Sequence, residues 1–560
     1  MDTVSTPATG RGPAGGGAEP GAAEPSGGAV TGATGAAEPG GGAGTGAAEV
    51  ILGVGGLSFA EVVAVARGGA PVRLADDALR AMAESRAVID ALASDTRPHY
   101  GVSTGFGALA DKQIPLELRG QLQRSLIRSH AAGSGPEVER EVVRALMLLR
   151  LSTLATGRTG VRPIVAETYA AVLNAGITPW VAEYGSLGCS GDLAPLAHCA
   201  LAMLGEGEVR TAGGALVPAD EALAAAGIER LVLREKEGLA LINGTDGMLG
   251  MLVLAITDLR ALVTTADLAA AMSVEGLTGT DAVFAADLQL LRPHPGQRDS
   301  AANIRAVLAG SPMISKPRGF TRVQDAYSLR CAPQVHGAVR DTIEHAAMVA
   351  NRELASAIDN PVVTLDGRVE SNGNFHGAPI GYVLDFLAIV TADLASMSER
   401  RTDRFLDVSR NHGLTAFLAD DPGVDSGHMI AQYTQAGIVS ELKRLAAPAS
   451  VDSIPSSAMQ EDHVSMGWSA ARKLRRSIDG VGRVIAIELL TAARAMDLRA
   501  PVRASAVSSA VVARLRTVVP GPGTDRYLAP DIAAAHSMVL DGSLLAAAAS
   551  VVSEAGGELV

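Results

Sequence analysis

Three stretches of the chain, Val335 to Ser356, Ile380 to about Ser409 and His463 to Arg499, keep apolar residues at helical spacing for unusually long runs. Helices in globular domains average roughly 11–12 residues. Segments two or three times that length, without the strict heptads of a lone coiled coil, bury their apolar faces against one another in a large bundle. Ala and Leu dominate the apolar residues and aromatics make up only 3%, a balance that favours helices over strands. The fold expected is therefore mainly α: a large bundle of long helices with a smaller N-terminal region. Much Ala on several faces also points to burial between copies of the chain. The regions expected are a Gly/Ala/Pro-rich tail over 1–48, an N-terminal region over 49–250, a central bundle over 251–500 and a C-terminal helical region over 501–560.

The bulk properties exclude several function classes. A net charge of −13 argues against nucleic acid or an anionic membrane as partner, since both demand a basic face. The three cysteines, Cys189, Cys199 and Cys331, lack paired spacing, which fits a reducing compartment without a disulfide framework. His198, His376 and His463 show no metal-ligand spacing, so no metal is expected. The start has neither a basic segment nor an apolar core of signal-peptide kind. The most apolar run, Gly247 to Val263, is interrupted by Asp258 and Arg260, too soon to span a bilayer. A cytoplasmic protein is expected.

Along the chain, residues 1–48 lack the apolar content to offset the entropy of ordering, and are expected to be disordered. Val50-Ile-Leu52 reads as a short strand. Ser58-Phe-Ala-Glu61 has the form of a capping box opening a helix that stops at Gly68-Gly69, and a second helix is expected over Ala75 to Ala93. Tyr100-Gly-Val-Ser-Thr-Gly-Phe-Gly107 is a glycine-studded loop suited to a lid. Pro115 suits the first position of a helix in which Leu118, Leu122, Leu126 and His130 fall on one stripe. A further helix is expected over Glu137 to Thr156.

The stretch Gly185-Ser-Leu-Gly-Cys-Ser-Gly-Asp-Leu-Ala-Pro-Leu-Ala-His198 combines a tight turn with apolar flanks, which suggests an unusual backbone held inside protein. It misses the Gly-x-Ser-x-Gly nucleophile elbow by one residue, because Asp192 stands at the fifth position. A Ser-Gly pair has another fate. If the Gly191 nitrogen closes on the Cys189 carbonyl carbon, a five-membered ring forms, and loss of the Ser190 hydroxyl leaves an exocyclic methylene. Glycine is needed there because it has no Cβ and tolerates the required torsions.

Further motifs accompany this turn: Tyr100 to Gly107, Arg128-Ser-His-Ala-Ala-Gly133, Leu241-Ile-Asn-Gly-Thr245, Gln324-Asp-Ala-Tyr-Ser-Leu-Arg330, Gly373-Asn-Phe-His376 and Gln460-Glu-Asp-His-Val-Ser-Met466. With them the chain resembles the aromatic amino acid lyases and aminomutases, most of all their histidine branch, from about residue 50 to 545. The resemblance implies an aspartase/fumarase-like helical architecture and a homotetramer with active sites shared between subunits. It implies a 4-methylidene-imidazol-5-one group formed from Cys189, Ser190 and Gly191, with no exogenous cofactor. Most relatives have Ala where this chain has Cys189; that side chain hangs from the ring without entering it.

The activity implied is elimination of ammonia from L-histidine to give urocanate. By resemblance Asp192 positions the turn, Tyr100 is the catalytic base, and Tyr327 is a second active-site tyrosine with Gln324 beside it. Arg330 matches the clamp on the substrate carboxylate. Asn243 matches a residue bonding near the ring and the substrate amine, and Phe375 packs beside it. His130 and Glu461 bear on substrate choice, because a buried imidazole needs polar partners. On their own, a loop tyrosine is usually packing, an Asn before Gly a turn, and a lone His on an apolar stripe a satisfied core residue. Alternatives are a tyrosine or phenylalanine ammonia-lyase, a 2,3-aminomutase, or a non-catalytic helical scaffold.

Overall fold

The computed structural model describes residues 48–95, 97–105, 107–314 and 323–560. The disorder expected over 1–48 therefore lies, apart from residue 48, outside the described residues, as does Phe106 of the glycine-studded loop. The N-terminal region carries α1 (Phe59–Ala66), α2 (Asp76–Ala93), α3 (Arg119–His130) and α4 (Arg140–Ala155). It continues with α5 (Pro163–Asn174), α6 (Leu193–Met203), α7 (Ala219–Ala225) and α8 (Glu237–Ala240). The bundle follows as α9 (Asp246–Gly276), α10 (Ala286–Leu290), α11 (Pro295–Leu308), α12 (Tyr327–Arg330) and α13 (Ala332–Leu354). Its remaining long members are α14 (Ala378–Leu406), α15 (Met429–Leu445) and α16 (Gly467–Leu498). Shorter helices α17 (Ala506–Arg516), α18 (Ala529–Leu540) and α19 (Ser543–Glu554) close the chain.

Strands are short. Val50–Leu52 pairs in parallel with Val72–Leu74, register Val50 to Val72. Thr178–Pro179, Glu208–Arg210 and Leu216–Pro218 make an antiparallel ribbon, and Ser134–Glu137 pairs with Ala182–Tyr184. The predicted first strand and the capping box are both present: the Ser58 side chain accepts from the Glu61 amide while the Glu61 carboxylate takes the Ser58 amide. Such caps contribute about 1 kcal/mol.

α9 is the axis of the molecule. It packs against α4, α11, α13, α14 and α16 and is buried on nearly every face, as a helix apolar all round must be. Gly247 permits the closest approach, since a Cβ there would lie 2.5 Å from the Trp468 ring. The expectation that Asp258 and Arg260 leave this run too short to span a bilayer is corrected as to length and composition. The helix runs through both, because Asp258 is met by Arg67 and Arg475, and Arg260 by Glu344. By length and composition alone α9 and α14 could each cross a membrane; here most of their apolar windows are buried within the bundle. Residue 250, the boundary expected between N-terminal region and bundle, falls inside α9.

The stripe on α3 also needs correction. The chain at Leu116–Leu118 is a tight 3-10 turn and Leu118 is exposed. The side of α3 buried in the protein carries Arg119, Gln123, Leu126 and Ile127, whereas Leu122, Leu126 and His130 line a cavity. Apolar periodicity marks a face that avoids water; it does not say whether protein or an enclosed site covers it.

Candidate active site

The Gly185–Leu193 turn is held from both sides by backbone and side-chain bonds. Gly188, at φ +68°, offers its carbonyl to Ser465 Oγ at 2.9 Å and to the Gly377 amide at 3.0 Å. The Leu187 carbonyl takes the Met466 amide at 2.9 Å. Inside the turn, Ser186 Oγ accepts from the Gly188 amide and donates to Asp192 Oδ1 at 2.8 Å. Gly191, at φ +77°, is pressed onto the backbone of Gly244, where a Cβ would lie 2.1 Å from the carbonyl oxygen. No residue but glycine fits there.

Asp192 binds this turn to the axis of the fold. Its amide donates to the Gly244 carbonyl at 2.7 Å, and its Oδ2 accepts from the Gly247 and Met248 amides, each at 2.9 Å. Those are unsatisfied donors in the first turn of α9. Thr245, the residue before the helix, does not cap it; its hydroxyl goes instead to Glu353 at 2.6 Å. Asp192 fills that role from 55 residues away. Burial pushes its carboxyl up to about 7, against the opposing pull of these donors.

Glu461 reaches the turn from a strained loop. Ser457, Ala458 and Met459 are all left-handed, with φ of 48°, 52° and 69°, a conformation that costs non-glycine residues about 1–2 kcal/mol each. Ser456 and Glu461 are joined across it by mutual backbone bonds. The Glu461 carboxylate then accepts from Ser190 Oγ at 3.1 Å, Cys189 Sγ at 3.3 Å and Ser456 Oγ at 2.7 Å. Burial foremost, and the adjacent Glu461, push the Cys189 thiol up to about 11, so it is a protonated donor.

A cavity of about 770 Å³ opens over the turn, with Tyr100, His130, Ser190, Asn243 and Glu461 on its wall. That is within the size range of small-molecule pockets, roughly 300–1,000 Å³. His130 Nδ1 lies 2.9 Å from the Leu126 carbonyl, so that nitrogen carries the proton and Nε2 is left as acceptor. Burial lowers the pKa of this histidine, which keeps it neutral. Asn243 gives its backbone carbonyl to Arg150 at 2.9 Å. Its side chain is 5% exposed, and its Oδ1 meets no donor among the described residues. The Tyr100 hydroxyl accepts from the Gly107 amide at 3.4 Å. Burial chiefly, with Glu461 and Asp359, raises its pKa despite that bond.

Cys189, Gly191 and Asp192 build the floor beneath that wall. The other expected site residues are elsewhere. Tyr327 is 70% exposed at the start of α12, with the Arg330 guanidinium 4.6 Å over its ring, and Gln324 is exposed just before it. Phe375 is half-buried. None of these four is among the cavity's lining residues; of the expected site residues, the cavity wall gathers Tyr100, His130, Ser190, Asn243 and Glu461. Sequence reasoning also passed over Ser186, Gly244, Ser456 and Ser465. Ser186, Gly244 and Ser465 stood inside quoted motifs, while Ser456 carried no local signal. Among the described residues, no group of three or more His, Cys, Asp or Glu is placed to hold a metal ion.

Comparisons with known proteins agree in length and fold. The family model described as "Aromatic amino acid lyase" matches residues 57–517. A histidine ammonia-lyase of Streptomyces avermitilis is 64% identical over 504 residues, 90% of this chain and 98% of that protein. Among solved structures, a tyrosine aminomutase from Streptomyces globisporus matches with a TM-score of 0.86 and 38% identity, over 90% of this chain and 99% of that one. The histidine ammonia-lyase from Trypanosoma cruzi matches with a TM-score of 0.83 and 39% identity, over 90% of this chain and 95% of that one.

Proposed function

The chain belongs to the aromatic amino acid lyase family, and we propose that it is a carbon–nitrogen lyase removing ammonia from L-histidine to give urocanate. The observation that carries the substrate is that His130 and Glu461 share one cavity wall with Ser190 and Asn243. The Glu461 carboxylate and the neutral His130 Nε2 supply two acceptors, which match the single N–H of an imidazole and both N–H groups of an imidazolium, in a wall otherwise rich in leucine and isoleucine. Identity of 64% to a named histidine ammonia-lyase supports the same choice. The fold alone is neutral on it, since an aminomutase for tyrosine matches equally well.

The residues present fit the 4-methylidene-imidazol-5-one group that the family uses. Cys189, Ser190 and Gly191 would form it, Gly191 is held left-handed where a Cβ has no room, and both flanks of the turn are tied. Once formed, that group supplies an electron sink that makes the substrate amine a better leaving group; no exogenous cofactor is needed.

Around it the side chains bind, orient and move protons. The Asn243 Oδ1, buried without a donor, accepts from the substrate amine. Tyr100 takes the β-proton at its phenolic oxygen, which requires ionisation. Within one chain burial and two carboxylates oppose that; Lys112 is a cation on the same wall, and a further cationic neighbour would favour ionisation. Arg330 is such a group, and it stands half-buried beside the exposed Tyr327 rather than on this wall. We therefore place Tyr327, Arg330 and Gln324 in the site of an adjacent copy, in a homotetramer with shared active sites. There Arg330 clamps the substrate carboxylate through two parallel hydrogen bonds and Phe375 packs beside the amine. A cytoplasmic setting, without nucleic acid or membrane as partner, belongs to the same proposal.

The test is to incubate the purified protein separately with L-histidine, L-tyrosine and L-phenylalanine, following ammonia and the ultraviolet spectrum of the product. Urocanate from histidine is expected. Product from another amino acid with none from histidine overturns the substrate, and no turnover of any of the three favours a scaffold. Intact mass should be two waters below the translated chain.

A further inference from the structure

The two oxygens of the Glu461 carboxylate are held by different partners. Oε2 accepts from Ser456 Oγ at 2.7 Å and from Cys189 Sγ at 3.3 Å, while Oε1 accepts from Ser190 Oγ at 3.1 Å. Two of these donors are permanent and one is not. As the ring closes, the Gly191 nitrogen bonds to the Cys189 carbonyl carbon, and the carbonyl oxygen leaves as water with the Gly191 and Ser190 amide hydrogens. The Ser190 Cα–H and Cβ–OH then leave as a second water, with a double bond between Cα and Cβ. The Ser190 hydroxyl is gone, so Oε1 loses its donor, and Oε2 keeps both of its own.

We propose that Ser456, assisted by the Cys189 thiol, is a positioning residue that sets substrate choice by clamping Oε2 so that the vacated Oε1 faces the cavity as an acceptor for an imidazole N–H. The inference rests on the proposed lyase reading. Its physical basis is that an unclamped glutamate has three rotatable torsions and swings to the nearest donor or to water. A clamped one presents its lone pair before the ligand arrives, and so binds it with less ordering. Ser456 is suited to the task because backbone bonds already join it to Glu461 in both directions, at 2.8 and 3.3 Å. The left-handed Ser457–Met459 turn between them brings the hydroxyl back onto its own loop's carboxylate. Cys189 adds a weaker donor from the turn itself. This gives its thiol a task that alanine at the same place could not perform.

The experiment compares Ser456→Ala, Ser456→Thr and Cys189→Ala with the parent protein, measuring intact mass, kcat and KM for L-histidine. Ser456→Ala should raise KM roughly tenfold, equivalent to about 1.4 kcal/mol, with kcat falling less than threefold. Ser456→Thr, which keeps the hydroxyl, should restore KM to within about threefold, and Cys189→Ala should raise it by about threefold, as befits a weaker donor. An unchanged KM in Ser456→Ala that has lost both waters overturns the clamp, as does a loss confined to kcat. A second arm needs no ring. Ser190→Ala also vacates Oε1, so L-histidine binding to that protein, followed by calorimetry, should weaken about tenfold on adding Ser456→Ala; equal affinity in the two overturns the proposal. If the parent protein retains both waters, the prosthetic-group reading fails by itself, and the binding arm still judges the clamp.

Discussion

The floor of the cavity and the α12 edge both carry residues expected to take part in the chemistry, yet they are built in opposite ways. On the floor, Ser190 and Asp192 are buried, and almost every polar atom is bonded to a named partner. On the edge, Tyr327 stands 70% exposed, with the Arg330 guanidinium 4.6 Å over its ring. The difference teaches that one chain completes the part that must hold strained backbone. The part we propose to recognise the substrate's carboxylate is left beside an exposed tyrosine at the surface. Strain needs dense local support; a clamp can be delivered by a neighbour.

The sharpest way to break the comparison is Ser190→Ala. It should abolish turnover while thermal unfolding and assembly size stay as in the parent, and substantial residual activity would refute the role given to the floor. Next comes the edge. Arg330→Lys should raise KM for L-histidine by roughly tenfold to a hundredfold, because a point charge cannot replace a bidentate fork. If the edge serves a neighbouring copy, co-assembled Ser190→Ala and Arg330→Lys chains should recover turnover at the parent's KM, which neither shows alone. No recovery in mixed assemblies would mean that the two regions act within one chain.

Asp192 sharpens the comparison through pH. Its carboxyl is raised from the ordinary value to about 7 in the folded chain, so the stabilising form is the protonated one. That contribution is complete below the unfolded value near 4 and is lost as pH rises through 7. Denaturation at pH 5 and pH 7 should show a loss on the order of 1–2 kcal/mol in the parent, and Asp192→Asn should flatten the slope. An unaltered slope would remove Asp192 as its source. His130→Leu is the mildest change: with one acceptor gone, KM for L-histidine should rise by about threefold to tenfold, with kcat nearly kept. A fall in kcat at constant KM would take His130 out of substrate binding.

How much was legible beforehand varied with the range of the interaction. The long helices α13, α14 and α16 and the Ser58 capping box were readable because each is dictated by residues within a few positions of one another. Tyr100, His130, Ser190, Asn243 and Glu461 could be nominated from contiguous motifs, and all five line the cavity. Of the α3 stripe, Leu122, Leu126 and His130 do share a face, Leu118 falls in the turn before the helix, and period alone could not say that a cavity covers that face. The apolar run at Gly247 to Val263 was read as too short to span a bilayer, yet α9 is long and apolar enough by composition, with Asp258 and Arg260 paired to Arg67, Arg475 and Glu344. For Tyr327 and Arg330 the motif was clear but its place was not.

From sequence alone came a mainly helical bundle, the need for glycine at 191, and the material for an electrophile in three adjacent residues. These follow from short-range sterics, helix periodicity and chemistry along the backbone. Tertiary structure decided that Gly191 meets Gly244, that Asp192 caps α9 in place of Thr245, and that Ser456 and Cys189 hold the carboxylate of Glu461. Ser190 and Glu461 lie 271 positions apart. No local rule links residues at that distance, and only the packing of the whole chain puts their oxygens 3.1 Å from each other.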